Sequence, residues 1–95
     1  MGNKNDFIFI AEAAALGGHV HILEWIKQQD CVWKSEEVCS NAALNGHTDV
    51  LKWLKENECH WDVSICSNSA KGGHLNTLEW LMYELFEFTF TKFLM

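Results

Sequence analysis

Five histidines, four cysteines and five tryptophans in 95 residues supply donors and ring faces for metal binding, nucleophilic chemistry or ligand stacking. Their spacing decides between these uses. Structural zinc sites favour C-x₂₋₄-C pairs. Here Cys31 to Cys39, Cys39 to Cys59 and Cys59 to Cys66 span eight, twenty and seven positions, and none fits. His19, His47 and His74 each follow a glycine and lie 28 and 27 positions apart, so they are spread along the chain rather than gathered at a point. Their simplest role is to bond backbone groups at a turn. His21 and His60 have no counterparts at that spacing and are expected at the surface. No nucleophile elbow, phosphate loop or H-E-x-x-H occurs. Gly17-Gly18 and Gly72-Gly73 read as turn glycines, and Glu36-Glu37 as acidic charge at a helix start. The expectation is a protein that is not an enzyme and has no cofactor and no metal ligands.

The same residues do mark a repeat. The offset that relates Gly18-His19 to Gly46-His47 and Gly73-His74 also relates Trp25, Trp53 and Trp80. It relates Cys31 to Cys59, Trp33 to Trp61, and Cys39 to Cys66. Agreement at so many rare residue types divides the chain into units of about 6–33, 34–61 and 62–88, within one domain spanning 1–95. The recurring tryptophans Trp25, Trp33, Trp53, Trp61 and Trp80 read as core, because burying one indole removes roughly 150–250 Å² from water. Cys39 and Cys66 join that core. Free cysteine packs as a small hydrophobe, and the four cysteines are expected reduced.

Each unit reads as two helices joined by a glycine turn. In the first, Asp6 is placed to cap a helix on which Phe7, Ile10, Ala11, Ala14 and Ala15 recur at helical spacing. Gly17-Gly18 stops it, and Ile22, Leu23, Trp25 and Ile26 form the apolar face of the next helix. In the second unit Ser35 is the expected cap, Val38, Cys39, Ala42 and Ala43 the first stripe, and Val50, Leu51, Trp53 and Leu54 the second. In the third, Asp62 stands where Ser35 did, Ile65, Cys66 and Ala70 repeat the stripe, and Leu75, Leu78, Trp80, Leu81 and Met82 follow. The tail carries Phe86, Phe88, Phe90 and Phe93. Alternation with polar residues suits a strand. The repeat frame favours a partial fourth unit over 89–95, with Thr89 at the cap position.

Composition bounds the partners. A formal net charge of −6, with lysine the only strong base, argues against nucleic acid and against an anionic membrane surface. The start, MGNKND, has no apolar region of a signal peptide. Asp6 stands where a myristoylation motif needs Ser or Thr. No apolar run reaches the roughly 20 residues that span a bilayer. The expected setting is cytoplasmic.

Helix, glycine turn, helix, loop: the chain resembles the ankyrin repeat. Ala42-Ala43-Leu44-Asn45-Gly46-His47 matches the family's A-A-x-x-G-H, as do Ala14–His19 and Ser69–His74. The period is five or six residues shorter than the family's 33. Glu37-Val38-Cys39-Ser40 and Ser64-Ile65-Cys66-Ser67 stand in place of T-P-L-H, and Asp30 and Glu58 in place of the glycine after the second helix. Short repeats with the tryptophans and the C-x-W loop are similar to the variant abundant in large DNA viruses and amoebae, which would place the chain in a host cytoplasm. The resemblance implies an all-α solenoid of stacked helix-turn-helix repeats, its inter-repeat β-hairpin reduced or absent. It implies a protein–protein interaction module whose partner meets Glu12, Leu16, Ser40, Leu44, Ser67 and Lys71, with Gly18, His19, Gly46, His47, Gly73 and His74 as turn residues. Outer units without polar caps imply self-association through the terminal repeats. Two further readings stand beside it: a decayed fragment of a longer array, suggested by an end inside an apparent repeat, and a small metal-stabilised helical domain.

Overall fold

The computed structural model describes the backbone of residues 4–59 and 61–94, and side chains over 6–59 and 61–85. Among these residues the chain is all-α, with no strand. The helices are α1 (Lys4–Gly17), α2 (Val20–Lys27), α3 (Glu36–Leu44), α4 (Thr48–Glu56), α5 (Ser64–Lys71) and α6 (Leu75–Leu94). Each odd-numbered helix packs on the helix that follows it. In addition α1 packs on α3, α3 on α5, and α2 on α4. The principal-axis extents are 51 × 30 × 19 Å.

Helix starts follow local chemistry. The Ser35 hydroxyl accepts from the Val38 N–H at 3.3 Å and caps α3. The Asp62 carboxylate accepts from the backbone N–H of Ser64 at 2.9 Å and from the Ser64 hydroxyl, and these bonds hold its pKa below the usual carboxylate value. Asp6 does not cap α1. That helix begins at Lys4 and takes Asp6 into its first turn, where negative charge still suits the helix dipole.

One turn geometry closes all three odd-numbered helices. His19, His47 and His74 N–H groups donate to Ala14, Ala42 and Ser69 carbonyls at 2.9 Å, while Gly18, Gly46 and Gly73 donate to Ala15, Ala43 and Ala70 at 3.0–3.2 Å. This is a Schellman ending, which needs a left-handed residue. The three glycines supply it, with φ of 79°, 72° and 77°. The even helices α2 and α4 end in the same left-handed conformation without glycine, at Asp30 (φ 48°) and Glu58 (φ 62°).

The corresponding position after α6 is Leu85, and there the helix continues. The break expected near residues 86–88, with a separate partial unit over 89–95, is therefore absent: α6 is one helix of 20 residues. A strand at this place is absent too. The sequence from Leu75 to Leu94 contains no glycine, proline or capping break, and a γ-branched leucine does not take left-handed angles cheaply. The side chains of Phe86, Phe88, Phe90 and Phe93 lie outside the described residues.

The core comprises Ala11, Ala14 and Ala15 of α1, Leu23 and Ile26 of α2, Val38, Cys39, Ala42 and Ala43 of α3, and Val50, Leu51, Trp53 and Leu54 of α4, continuing through Ile65, Cys66 and Leu81. Five members of the expected stripes are exposed instead: Ile10, Trp25, Ala70, Leu75 and Met82. Ile10 is exposed because no described element packs on that face of α1, whereas its counterparts Val38 and Ile65 are buried. Ala70 is exposed because no element follows α5 on that side, and Ser69 is the buried residue of its pair. Ser69 Oγ has no hydrogen-bond partner.

Helix pairs approach closely at Gly72. A Cβ there would lie 1.9 Å from the Leu44 carbonyl oxygen, although the Gly72 backbone is ordinary right-handed helix. At Gly73 the backbone is left-handed, but a Cβ would meet nothing within 4 Å. The two glycines thus separate crowding from conformation. Gly72→Ala is expected to lower unfolding free energy by about 3 kcal/mol through overpacking against a backbone atom, and Gly73→Ala by only about 1 kcal/mol through left-handed strain. Urea denaturation of the two variants checks this, and a larger loss at Gly73 would contradict it.

Candidate interaction surface

The aromatic residues show how neighbouring pairs meet. Trp33, which lies between α2 and α3, has its ring 5.3 Å from that of Trp53 on α4. Trp61, between α4 and α5, lies 6.4 Å from Trp80 on α6. The Trp53 and Trp80 indoles thus rest on the indoles of the connections before their helix pairs. The Lys34 ammonium lies 5.6 Å from the Trp33 ring centre and that of Lys52 lies 6.0 Å from Trp80, both within cation–π range.

Trp25 has no such predecessor. Its ring lies 6.2 Å from Phe7 and it is 52% exposed. The expectation of five core indoles is corrected here. Trp33 and Trp53 are buried, Trp61 and Trp80 are half-buried, and Trp25 is a surface residue because among the described residues Phe7 is the one aromatic ring against it and no second indole covers it. With Phe9, Ile10 and Val32, also exposed, it leaves apolar side chains at the N-terminal end of the molecule.

Polar contacts tie the second turn to the first. His47 Nε2 lies 2.9 Å from the Leu16 carbonyl, and Asn45 Nδ2 donates to that same oxygen at 2.9 Å. Asn41 Nδ2 donates to the Glu12 carbonyl at 3.1 Å, and the Ser35 hydroxyl to the Glu12 carboxylate at 3.4 Å. The histidine thus bonds the preceding turn and not its own, a refinement of the expected role. The His74 ring likewise rests against Gly46, 2.6 Å from where a Cβ would stand. His19, with no earlier turn to meet, is exposed and lies 5.8 Å from His21, ring to ring. His60 lies outside the described residues. On the even helices the Lys55 ammonium pairs with Glu84, and Lys27 donates to Asn57.

Neither a family model, nor a curated protein, nor a solved structure matches this chain. The site therefore stands on its own geometry.

The six residues expected to meet a partner all lie on α1, α3 and α5. Leu16, Ser67 and Lys71 are exposed; Glu12, Ser40 and Leu44 are half-buried. Glu12 is partly engaged within the molecule through Ser35 and Asn41. Two features were not visible in the spacing. Asn41 and Asn45 donate across to the carbonyls of Glu12 and Leu16. Cys39 and Cys59 come together, their sulfurs 3.3 Å apart. Among the described residues no three His, Cys, Asp or Glu side chains gather in a metal-binding arrangement. No helix there is long and apolar enough to cross a membrane.

The contrast between Trp25 and Trp53 gives a test. Trp53, 8% exposed, should cost about 3–5 kcal/mol on truncation to Ala. Trp25→Ala should cost about 1 kcal/mol, since half its area already meets water. Chemical denaturation of the two variants measures the difference, and equal losses would place Trp25 in the core after all.

Proposed function

We propose that the chain is a protein–protein interaction module of ankyrin type, three short helix pairs in a row, with no catalytic role. The observation that carries this reading is the line of odd helices, α1 against α3 and α3 against α5, with the second turn joined to the first by Asn45 and His47, which reach back to the Leu16 carbonyl. That line leaves Leu16, Ser67 and Lys71 exposed at helical positions that packing does not need. The resemblance is supported further by the left-handed backbone of Asp30 and Glu58, at the places where the family has glycine. The partner is a protein, met by the α1–α3–α5 edge; neither nucleic acid nor a membrane suits the net charge of −6. The exposed Phe9, Ile10 and Trp25 offer the end through which copies would self-associate.

The triple change Leu16→Glu, Ser67→Lys and Lys71→Glu tests the edge. It is expected to abolish capture of the partner that wild-type protein retains from its native cell, while the melting temperature shifts by no more than about 2 °C, as for surface changes of this kind. Unchanged capture, or loss of folding, would refute this assignment of the surface.

A further inference from the structure

The central pair of helices holds a juxtaposition that the repeat itself does not require. Cys39 on α3 and Cys59, three residues beyond the end of α4, are twenty positions apart, and their sulfurs lie 3.3 Å from one another. By the 28-residue offset the same two places in the first unit are Ala11 and Cys31; by the 27-residue offset those in the third are Cys66 and Phe86. Only the second unit carries a thiol at both. A single cysteine suffices wherever packing is the only demand, so two facing thiols call for another reason. We infer that Cys39 and Cys59 form a reversible redox modification site, oxidised to a disulfide by a peroxide and reopened by a dithiol.

Both sulfurs are buried, yet each borders open space. A cleft of about 260 Å³ lined by Glu36, Cys39, Trp61 and Ile65 reaches the first thiol. A second of about 320 Å³ lined by Lys55, Cys59, Trp61 and Leu85 reaches the other. Trp61 borders both clefts. Either is large enough for hydrogen peroxide, and neither exposes the thiols to bulk solvent.

The two sulfurs are not equivalent. Cys59 is pulled down to about 7, chiefly by its hydrogen bond with Cys39, with burial opposing and the Lys34 ammonium helping. Cys39 is pushed far up, by that same hydrogen bond, by burial and by the charges of Cys59 and Glu36. The Lys34 charge acting on Cys59 and the Glu36 charge acting on Cys39 both favour Cys59 as the thiolate and attacking sulfur, with the proton on Cys39. Attack of Cys59 Sγ on peroxide breaks the O–O bond and leaves a sulfenic acid on Cys59 and a hydroxide that becomes water. Cys39 Sγ then attacks the Cys59 sulfur. The S–O bond breaks, the departing oxygen takes the Cys39 proton, and a second water leaves. Two thiols and one peroxide have become one disulfide and two waters. The sulfurs need to close from 3.3 Å to about 2.05 Å, a shift of side chains rather than of helices.

The bridge would tie α3 to the segment that carries Trp61, between the second and third helix pairs. Its effect is to hold the turn after α4, where Glu58 is left-handed, against α3.

The experiment treats the reduced, folded wild-type protein with hydrogen peroxide, then blocks free thiols and maps the peptides without reduction. The expected result is a fall from four free thiols to two, a cross-linked peptide pair containing Cys39 and Cys59, and a melting temperature raised by about 10 °C. Dithiothreitol should restore all three readouts. The Cys31→Ser/Cys66→Ser variant should behave identically, and Cys59→Ser should show neither cross-link nor shift. Cross-links between molecules, oxidation beyond sulfenic acid without a Cys39–Cys59 link, or a link formed only after unfolding would each overturn the inference.

Discussion

Where α3 and α5 end, their backbones come so near that the Leu44 carbonyl occupies the space a side chain at position 72 would need. This approach sets the distance between the second and third helix pairs, and most of the molecule follows from it. Small residues along α1 and α3, Ala11, Ala14, Ala15, Ala42 and Ala43, allow the flat packing of odd helix on odd helix. The rings of His47 and His74 then reach the preceding turn because nothing projects from Gly18 or Gly46 to stop them. The indoles fill the wider gap on the opposite side, between connections and even helices, where alanine would leave a void. Narrow at the turns and wide at the tryptophans, each pair is a wedge of defined shape.

A structure made this way is coupled mainly to its neighbours. The buried side chains of α3 and α4 are covered from both sides, and nearly every large fully buried residue lies on α2, α3, α4 or α6. At the two ends the same residue types face outward. Ile10 against Val38, Trp25 against Trp53 and Ala70 against Ala43 differ in burial, not in kind. Their exposure measures the absence of a neighbour, and stability in such an arrangement resides in the middle.

That distinction also explains what was legible in the residues alone. The helix pairs and their turns were readable, because a Schellman ending demands a residue that tolerates positive φ, and the recurring glycine-histidine steps advertise it. The caps at Ser35 and Asp62 were readable for a similar local reason. The fate of Trp25 was not, since its letter and spacing equal those of Trp53 and only the ring each one meets, Phe7 against Trp33, differs. Nor was the continuity of α6, which turns on Leu85 standing where Asp30 and Glu58 stand in the earlier pairs. For the candidate surface, position on the odd helices followed from the repeat. The engagement of Glu12 with Ser35 and Asn41 did not, because bonds across 23 and 29 residues leave no trace in a local pattern. The meeting of Cys39 and Cys59 escaped for the same reason.

Asp30 and Glu58 deserve a thermodynamic reading of their own. Each bears a Cβ in a region of backbone space where glycine would sit without strain, and each turn closes there regardless. The penalty is of order 1 kcal/mol apiece, a large share of what a domain of this size has to spare. The even helices are therefore terminated against a small opposing force, balanced by the indole packing that begins three residues later at Trp33 and Trp61.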